Sequence, residues 1–359
     1  MKRHLSVVLL GCLISVRPAF GQPAEPTMTV HFIEVGQALS ALVEFSCGAM
    51  LIDAGSQGPA SDHRLIAYLN DFFDGRPDLN RTIDEVLITH NHIDHTNSLQ
   101  SVVENFTVKR FIDNGFTTGS GAPRTNWLKQ QVREHKRAVE LRAINDDEVT
   151  NLPNKNGLTD SFIDPFACQG VDPTIRILSG RLSRNPGWSQ TEFRNLNNHS
   201  IVTRIDFGNA SFLFLGDLEL PAIDLLLDYY TGPARAILDT DVVQVSHHGS
   251  RNGTSKSFVD AVTPKVAVIP VGHWSDGRNP SRQFSTFAYG HPNEGAIELL
   301  AESMDQTRGE PIEIMVGTGA RTFHRLTVAK AIYATDWDGT IRITARADGK
   351  LTVQRTHTQ

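Results

Sequence analysis

Short apolar runs and stretches of alternating apolar and polar residues recur along the chain, and turn-forming residues separate them. Runs of this length and period predict β-strands. Longer stretches with apolar residues three or four positions apart predict amphipathic helices. Strands are expected at residues 29–35, 40–45, 49–52, 83–88, 108–112, 200–207, 211–215, 241–246, 265–271, 312–316, 340–344 and 350–353, and helices near 61–73, from about 95, and at 127–141, 221–229, 256–262 and 293–302.

The mixture of strands and helices in both halves of the chain predicts an α+β fold. Two sheets packed face to face with helices on their outer sides give a four-layer αββα sandwich, and residues 22–359 are expected to form it as one domain. Residues 145–172 are rich in Asn, Asp, Pro and Gly and predict a long loop. Because such loops are uncommon inside a compact domain, we expect an insertion or a lid over the functional site around residues 117–198.

The first 21 residues have the pattern of a secretory signal peptide. Lys2 and Arg3 precede an apolar segment at 5–14, and Ala19-Phe20-Gly21 provides small residues for cleavage. This pattern predicts a secreted or periplasmic protein. The alternative is a lipoprotein anchored through Cys12, although the apolar part before Cys12 is short for that. No later apolar stretch approaches the roughly 20 residues of a membrane-spanning helix, so no transmembrane segment is expected in the mature chain.

Charge and cysteine content describe the expected mature protein further. Removal of the signal peptide takes away three basic residues and no acid, and moves the formal net charge from −6 to −9. An acidic protein gains nothing from long-range attraction to nucleic acid, so no stable nucleic-acid binding is expected. Cys47 and Cys168 would remain, either as a disulfide or as small buried hydrophobes. The pattern indicates no oligomeric state.

The segment from His90 to His95 has the spacing H-x-H-x-D-H and directly follows an apolar run. Its side chains are His90, His92, Asp94 and His95. Four such groups on a loop after a buried strand can converge on one point, and imidazole and carboxylate together suit zinc, manganese or iron. The motif predicts a metal-dependent hydrolase.

Further acids and histidines stand where other predicted strands end. Asp53 and Asp217 each follow an apolar run, and Gly216 allows close approach of the backbone beside Asp217. His247 and His248 follow the run 242–245. Since neighbouring residues of an extended chain point in opposite directions, one histidine of this pair is expected to face the metals.

Taken together, these residues resemble the metallo-β-lactamase superfamily. The resemblance implies a pair of divalent ions, Zn²⁺ or alternatively Mn²⁺. In that pattern His90 and His92 hold one ion with a third histidine. Asp94 and His95 hold the other with His247, Asp217 bridges both, and Asp53 supports the ligands from behind.

Within that superfamily the chain is most similar to the hydrolase domain of ComEC-type competence proteins. The likeness rests on the segments 31–37, 197–202, 246–250, 289–292 and 333–339. It departs from the family pattern at Ala38-Leu39 and Asn97-Ser98, which puts substrate approach near the histidine loop in doubt. The third histidine also stays open: His199 is a candidate by order, whereas the competence group places the important side chain at Asn197.

The resemblance implies hydrolysis of a phosphodiester, in a nucleic acid or a small molecule, by a metal-activated water. Asp94 is expected to orient the nucleophile or accept its proton, and His248 or His291 to serve the leaving group. Ser250 and the amides after Gly249 are a candidate anion site. The alternatives are hydrolysis of another ester or amide such as a lactam, and a secreted binding protein with a degenerate metal site.

Overall fold

A computed structural model describes residues 25–276 and 285–357, so the predicted signal peptide and Cys12 lie outside the described residues. The strands are β1 (Thr27–Phe32), β2 (Ala41–Phe45), β3 (Gly48–Ile52), β4 (Thr82–Leu87), β5 (Thr107–Asp113), β6 (Glu140–Ala143), β7 (Thr174–Ser179), β8 (Val202–Phe207), β9 (Ala210–Phe214), β10 (Val242–Gln244), β11 (Val266–Ile269), β12 (Thr307–Gly319), β13 (Thr322–Lys330), β14 (Ile332–Ala334), β15 (Ile341–Arg346) and β16 (Leu351–Arg355). The helices are α1 (Pro59–Gly75), α2 (Ile93–Thr96), α3 (Leu99–Asn105), α4 (Ala122–Arg133), α5 (Asp146–Thr150), α6 (Gln190–Arg194), α7 (Leu220–Tyr229), α8 (Lys256–Val262), α9 (Thr286–Tyr289), α10 (Glu294–Ser303) and α11 (Thr335–Asp338). Short 3₁₀ turns include Leu196–His199, Ser246–Gly249 and Arg251–Gly253.

The strands form two large sheets. The first has eight strands in the order β16-β15-β1-β2-β3-β4-β5-β6, and the second has six in the order β14-β11-β10-β9-β8-β7. Strands β12 and β13 make a separate antiparallel ribbon. Residues from the facing sides of both sheets share one apolar core, whereas α1, α3 and α4 pack on the outer side of the first sheet in a second core. Helices α7, α8 and α10 contribute to the core on the side of the second sheet. The predicted αββα sandwich is therefore confirmed.

Two pairs of parallel strands position the functional residues. Strand β3 runs parallel to β4 in the first sheet, and β9 runs parallel to β10 in the second. The carboxyl ends of parallel neighbours meet at one edge of a sheet, which is where α/β folds bind ligands. Asp53, the histidine loop, Asp217 and the turn Ser246–Gly249 follow these four strands in that order.

Several predicted elements differ from the structure. The predicted helix 127–141 begins earlier and ends at Arg133, because His135 takes a left-handed backbone (φ 55°), and Glu140–Ala143 is an edge strand. Strand β7, which follows the predicted loop 145–172 and lies within the segment 117–198 expected to form an insertion or lid, pairs with β8. The sequence pattern does not predict strand β13, because most of its side chains are exposed or half-buried and no apolar alternation marks it.

The segment 117–198 contributes to both sheets. Its strand β6 forms one edge of the first sheet, and β7 forms one edge of the second. Of this segment, Ser120 and Asn197 line the cavity above the predicted metal ligands. The segment 117–198 thus provides an edge strand to each sheet and part of the cavity wall. Its role as a lid stays a prediction.

A disulfide joins Cys47, in the turn between β2 and β3, to Cys168 in the loop before β7, 121 residues away in sequence. It resolves the two alternatives left open for these cysteines. In the described ranges we find no helix with the length and apolar character that crossing a bilayer requires.

Candidate metal centre

The ligand side chains predicted from the strand ends converge in two groups. In one group His90 and His92 meet Asp217, and in the other Asp94, His95 and His248 meet the same aspartate. Within each group the candidate ligand atoms all lie within 4.8 Å of one another. Asp217 is common to both groups, as expected of a bridging carboxylate.

Asp53 anchors the histidine loop from beneath. Its carboxylate accepts hydrogen bonds from the Thr89 backbone N–H (2.7 Å), the Thr89 hydroxyl (2.8 Å) and His95 Nδ1 (2.6 Å). Because Nδ1 of His95 donates to Asp53, Nε2 is left as the ligand atom, and it lies 3.1 Å from Asp217 Oδ1. Carboxylates in this position orient metal-binding histidines and increase their basicity.

His90 and His92 bring two ring nitrogens together. Nε2 of His90 lies 3.1 Å from Nδ1 of His92 and 3.9 Å from Asp217 Oδ2. The other nitrogen of His90 contacts the hydroxyls of Thr89 and Ser200 at 3.2 and 3.4 Å. The left-handed Gly216 makes room beside them, since a Cβ there would stand 2.7 Å from Thr89 Oγ1.

The turn Ser246–Gly249 decides which of its two histidines joins the cluster. His247 and His248 both have left-handed backbones, at φ 50° and 54°, so the rule for extended chain does not apply. His248 Nδ1 donates to the Pro270 carbonyl (2.6 Å), and its Nε2 lies 3.3 Å from Asp94 and 3.6 Å from Asp217. This corrects two expectations: His248 takes the ligand place predicted for His247 and is not free to serve the leaving group.

His247 lies beside the cluster, on the wall of the cavity. Its Nδ1 contacts Asn252 Oδ1 at 3.1 Å, and its Nε2 lies 4.0 Å from Asp217 and 3.4 Å from the Asn197 amide nitrogen. It is half-buried and close enough to contact a bound substrate.

His199 lies outside the cluster. Its Nδ1 accepts from the Leu182 backbone N–H (3.1 Å), and its Nε2 donates to the Phe193 carbonyl (2.7 Å). Both ring nitrogens are thus used by backbone groups, which corrects the prediction of a ligand role. Asn197 instead lines the cavity: Glu219 accepts from its amide nitrogen at 2.7 Å, while its buried Oδ1 has no hydrogen-bond partner among the described residues.

The cluster opens into a cavity of about 370 Å³. Gln37, Tyr289 and His291 line this cavity together with His92 and Asp94. Tyr289 is 47% exposed and stacks on His291, with ring centroids 5.6 Å apart. Sequence reasoning gave no role to Gln37 or Tyr289, although both stand in the segments that carried the family resemblance.

A buried chain of hydrogen bonds orients His291. Thr286 Oγ1 donates to Gln37 Oε1 (3.0 Å), and Gln37 Nε2 lies 3.1 Å from His291 Nδ1. An amide nitrogen only donates, so Nδ1 accepts and the proton of neutral His291 is on Nε2. Burial and the nearby His247 and His248 lower the pKa of His291 well below its usual value.

Ser250 does not face this cavity. Its hydroxyl donates to Asn252 (2.6 Å) and its backbone N–H to the His247 carbonyl (2.8 Å). The turn that follows, Arg251–Gly253, has only three residues. The predicted anion site at Ser250 is corrected accordingly, because its donors are already used.

The departures from the family pattern lie behind the ligand loop. Leu39 N–H donates to the Asp94 carbonyl (3.1 Å), and Asn97 and Ser98 bond to Ser56. None of these side chains lines the cavity. These residues brace the ligand loop and do not obstruct the cavity through which a substrate would approach.

Burial and neighbouring charges determine the protonation of the cluster. Burial opposes ionisation of Asp217, but His95 and His248 hold its pKa well below the usual range. Burial, with His95 and His92 nearby, lowers the pKa of His90 well below its usual value. Burial opposes a charge on His95, yet Asp217 and Asp53 raise its pKa well above that value.

These observations test whether the residues fit a metal pair. His95 Nε2 and Asp217 Oδ1 are buried and make no directed hydrogen bond despite their 3.1 Å separation. Asp53, Asp94 and Asp217 place three carboxylates in the interior, which divalent cations would balance. Imidazole and carboxylate ligands with oriented second partners are typical of zinc and related ions. The donor set fits.

Comparison with known proteins agrees with this geometry. The family model described as "Metallo-beta-lactamase superfamily" matches residues 33–273. Competence protein ComA of Neisseria gonorrhoeae is 24% identical over 332 residues, which cover 91% of this chain and 38% of that protein. Recombination protein 2 of Haemophilus influenzae is 23% identical over 297 residues, covering 79% of this chain and 29% of that protein.

The chain thus spans well under half the length of these curated relatives; for ComE operon protein 3 of Bacillus subtilis, which is 24% identical, it covers 22%. Among solved structures, the metallo-β-lactamase fold protein YhfI of Bacillus subtilis aligns with a TM-score of 0.42 at 13% identity, over 78% of this chain and 95% of that one. The resemblance to competence proteins is confirmed. The family model covers more than half of the chain, including every strand end that carries a candidate ligand, and the chain belongs to the metallo-β-lactamase superfamily of hydrolases.

Proposed function

We propose that this protein is an exported hydrolase that cleaves a phosphodiester with the help of two divalent metal ions, Zn²⁺ or Mn²⁺. The observation that carries the proposal is the pair of ligand groups that share Asp217 and open into a cavity whose lining also includes Ser120, Tyr289 and His291. With cations bound beside Asp94 and Asp217, a phosphodiester anion would suit such a cavity. Two relatives are named for competence and recombination, which supports a phosphodiester of nucleic-acid type.

When bound, the ions would supply a water acidic enough to ionise near neutral pH and would neutralise charge on the phosphoryl oxygens. Asp94 is placed at the cavity, 3.3 Å from His248, where its carboxylate can orient the attacking water and accept its proton. His291 lines the same cavity, and we expect its Nε2–H to donate a hydrogen bond to the leaving oxygen.

Export is supported by the disulfide between Cys47 and Cys168. Disulfides persist in oxidising compartments and are rare in the cytosol. The same bond is compatible with the predicted signal peptide at 1–21 and with the alternative lipid anchor at Cys12.

Substitution of Asp94 by Asn tests the proposed chemistry. The variant is expected to lower kcat for methyl p-nitrophenyl phosphate at least about 100-fold, because a positioned proton acceptor contributes about that much. Release of p-nitrophenol measures turnover, and circular dichroism checks folding. A matched control is Asp305→Asn on the exposed surface, which should keep wild-type turnover.

Two results would overturn the proposal. One is unchanged turnover in folded Asp94→Asn protein. The other is hydrolysis of a β-lactam, but of no phosphodiester, by the metal-loaded wild-type chain. Elemental analysis of the purified protein separates a hydrolase from a binding protein with a degenerate site, since the latter would hold no divalent metal.

A further inference from the structure

A second cavity adjoins the metal centre. It measures about 500 Å³, and its lining includes Phe116, Arg181, Phe193, Arg194 and Leu196. Its size is in the range of sites that bind small organic groups. No predicted site residue had pointed to this place except His199, which forms part of its lining.

The two cavities are lined by neighbouring residues of the chain. Leu196 lines the second cavity, and the next residue, Asn197, lines the first. Likewise Thr118 lines the second cavity and Ser120 the first. Gly119 lies between Thr118 and Ser120, so close to Leu196 that a Cβ there would stand 2.5 Å from the leucine side chain. Since the same two segments line both cavities, the cavities are neighbours, and an extended molecule can occupy both.

Aromatic rings form a platform in the second cavity. Phe116 and Phe193 each meet His199 edge to face, at centroid distances of 5.0 and 5.3 Å. His199 is bonded to both segments that carry these rings: its Nε2 donates to the Phe193 carbonyl (2.7 Å), and its own carbonyl accepts from the Asn114 amide (3.1 Å), two residues before Phe116. The histidine thus braces a half-buried aromatic surface. Such surfaces bind flat rings by stacking.

The same cavity carries positive charge. The Arg181 guanidinium lies 5.4 Å over the Phe116 ring, and its hydrogen bond goes to the neutral Gly115 carbonyl. Arg194 is exposed and makes no ion pair with any residue that the structure describes. In a chain with 40 acids and 34 Lys and Arg, two arginines beside the site that form no ion pair among the described residues are suited to an anion.

We propose that this aromatic and arginine-lined cavity binds the nucleotide unit next to the scissile phosphodiester of a single-stranded nucleic acid. The ring of the base stacks on Phe116 or Phe193, and Arg194 neutralises the flanking phosphate. A base held inside a duplex cannot enter such a cavity, so the site selects single strands. This inference rests on the proposed function, and it replaces the expectation from net charge that nucleic acid is not bound.

Two variants test the cavity while leaving the metal ligands untouched. Phe193→Leu keeps apolar volume and removes the ring, and Arg194→Ala removes an exposed charge. Arg133→Ala, on the exposed end of α4, is the matched charge control. Each is assayed on a short single-stranded oligothymidylate and on methyl p-nitrophenyl phosphate, which is too small to span both cavities.

Phe193→Leu is expected to raise KM for the oligonucleotide about 10-fold, as expected for loss of one stacked base. Arg194→Ala should lower the slope of log KM against log salt concentration by about 0.7, the value for one phosphate contact on a single strand. Neither variant should change kcat/KM for the small diester. Arg133→Ala should match wild type on both substrates, and a duplex of the same sequence should bind more weakly than the single strand.

Oligonucleotide KM values unchanged in both variants would overturn the inference, as would equal losses on both substrates. If the wild type hydrolyses neither substrate, the proposed function fails, and fluorescence anisotropy of the labelled oligonucleotide still tests the cavity. Weaker binding by Phe193→Leu and Arg194→Ala than by Arg133→Ala then supports it, and equal binding refutes it.

Discussion

Asp53 shows how much of the metal centre depends on a residue that faces no substrate. Its backbone is left-handed, at φ 57°, and its side chain is fully buried. Three hydrogen bonds from Thr89 and His95 use both carboxylate oxygens. Aspartate and asparagine tolerate this backbone better than most other side chains. The residue at position 53 must therefore both adopt a left-handed backbone and supply a negative charge to His95.

Asp53→Asn isolates that charge, because asparagine keeps both the shape and the tolerance for a left-handed backbone. We expect metal affinity to fall about 10- to 100-fold, since the orienting partner of His95 loses its charge. Competition with a chromogenic chelator measures the affinity. Asp348→Asn, at an exposed hairpin turn, is the control. Equal affinity in wild type and Asp53→Asn would show that Asp53 has only a structural role.

We expect Gln37 to act on the proposed reaction through His291, which it contacts at 3.1 Å. Gln37→Leu removes the donor to Nδ1, so the imidazole can exchange tautomers and lose Nε2–H toward the cavity. We expect kcat for a dinucleotide, whose alkoxide leaves poorly, to fall about 10-fold. A p-nitrophenyl diester needs less help to its leaving group and should be affected much less. Gln100→Leu on α3 serves as control, and equal losses on both substrates would argue against a positioning role.

Among the structural elements, the turns next to strand ends do most to build the site. The sharp left-handed turn Ser246–Gly249 follows β10 and carries His248 to the candidate ligands and His247 to the cavity wall. The turn Leu196–His199 precedes β8 and carries Asn197 to one cavity and His199 to the next. Each turn is held by buried side-chain and backbone bonds. The positions of the functional side chains therefore depend on how these turns connect to their strands.

The disulfide joins two connecting segments across 121 residues. Replacing both Cys47 and Cys168 by Ser is expected to lower the free energy of unfolding by about 4–5 kcal/mol, because a cross-link over a loop of this length restricts the unfolded chain. Denaturant unfolding measures the difference. Reductant should move the wild type to the same midpoint and leave the double variant unchanged. A wild-type midpoint insensitive to full reduction would contradict the expectation.

For the molecule as a whole, we expect net charge to be a poor guide to the proposed ligand. The chain carries a formal charge of −6, yet Arg181 and Arg194 line the same cavity beside the candidate metal centre, and neither forms an ion pair with a described residue. Since screening limits the reach of charge to about 8–10 Å in physiological salt, we expect the local pair to outweigh distant acids for a ligand bound at that place.

Stability of the whole chain should depend in part on Asp336, a half-buried acid outside the site. Burial, with Asp276 and Glu34 nearby, raises the pKa of Asp336 to about 7. An acid whose pKa rises on folding binds its proton more tightly in the folded state. The stabilisation is therefore complete below about pH 4, the unfolded value, and is lost as the pH rises through 7.

Asp336→Asn is expected to remove this loss. With chelator present, the difference in unfolding free energy between variant and wild type should grow in favour of the variant by roughly 3–4 kcal/mol between pH 4 and pH 8. Asp305→Asn, at an exposed position, should leave the pH profile unchanged. A pH-independent difference between Asp336→Asn and wild type would refute the assignment.

The order of residues is enough to predict the two-sheet fold, the family and most of the residues that meet in the candidate metal centre. Apolar runs mark buried strands locally, and polar residues directly after Ile52, Ile88 and Gly216 had to lie at strand ends because a strand places its next residue at the sheet edge. The half-exposed strand β13 and the edge strand β6 carry no such local pattern, and sequence reasoning missed them.

The direction of individual side chains depended on the folded chain. A left-handed turn brings His248 rather than His247 into the cluster. Hydrophobic periodicity does not predict such a turn, so the sequence alone could not choose between the two histidines. His199 bonds to the backbone of Leu182 and Phe193 and so braces a neighbouring cavity. The sequence did not predict this role, because the partners come from other segments of the chain. The pairing of Cys47 with Cys168, and the meeting of Phe116 with Arg181, likewise depend on contacts between residues far apart in the chain. Side-chain direction is a property of three-dimensional packing, which the order of residues specifies only through the complete fold.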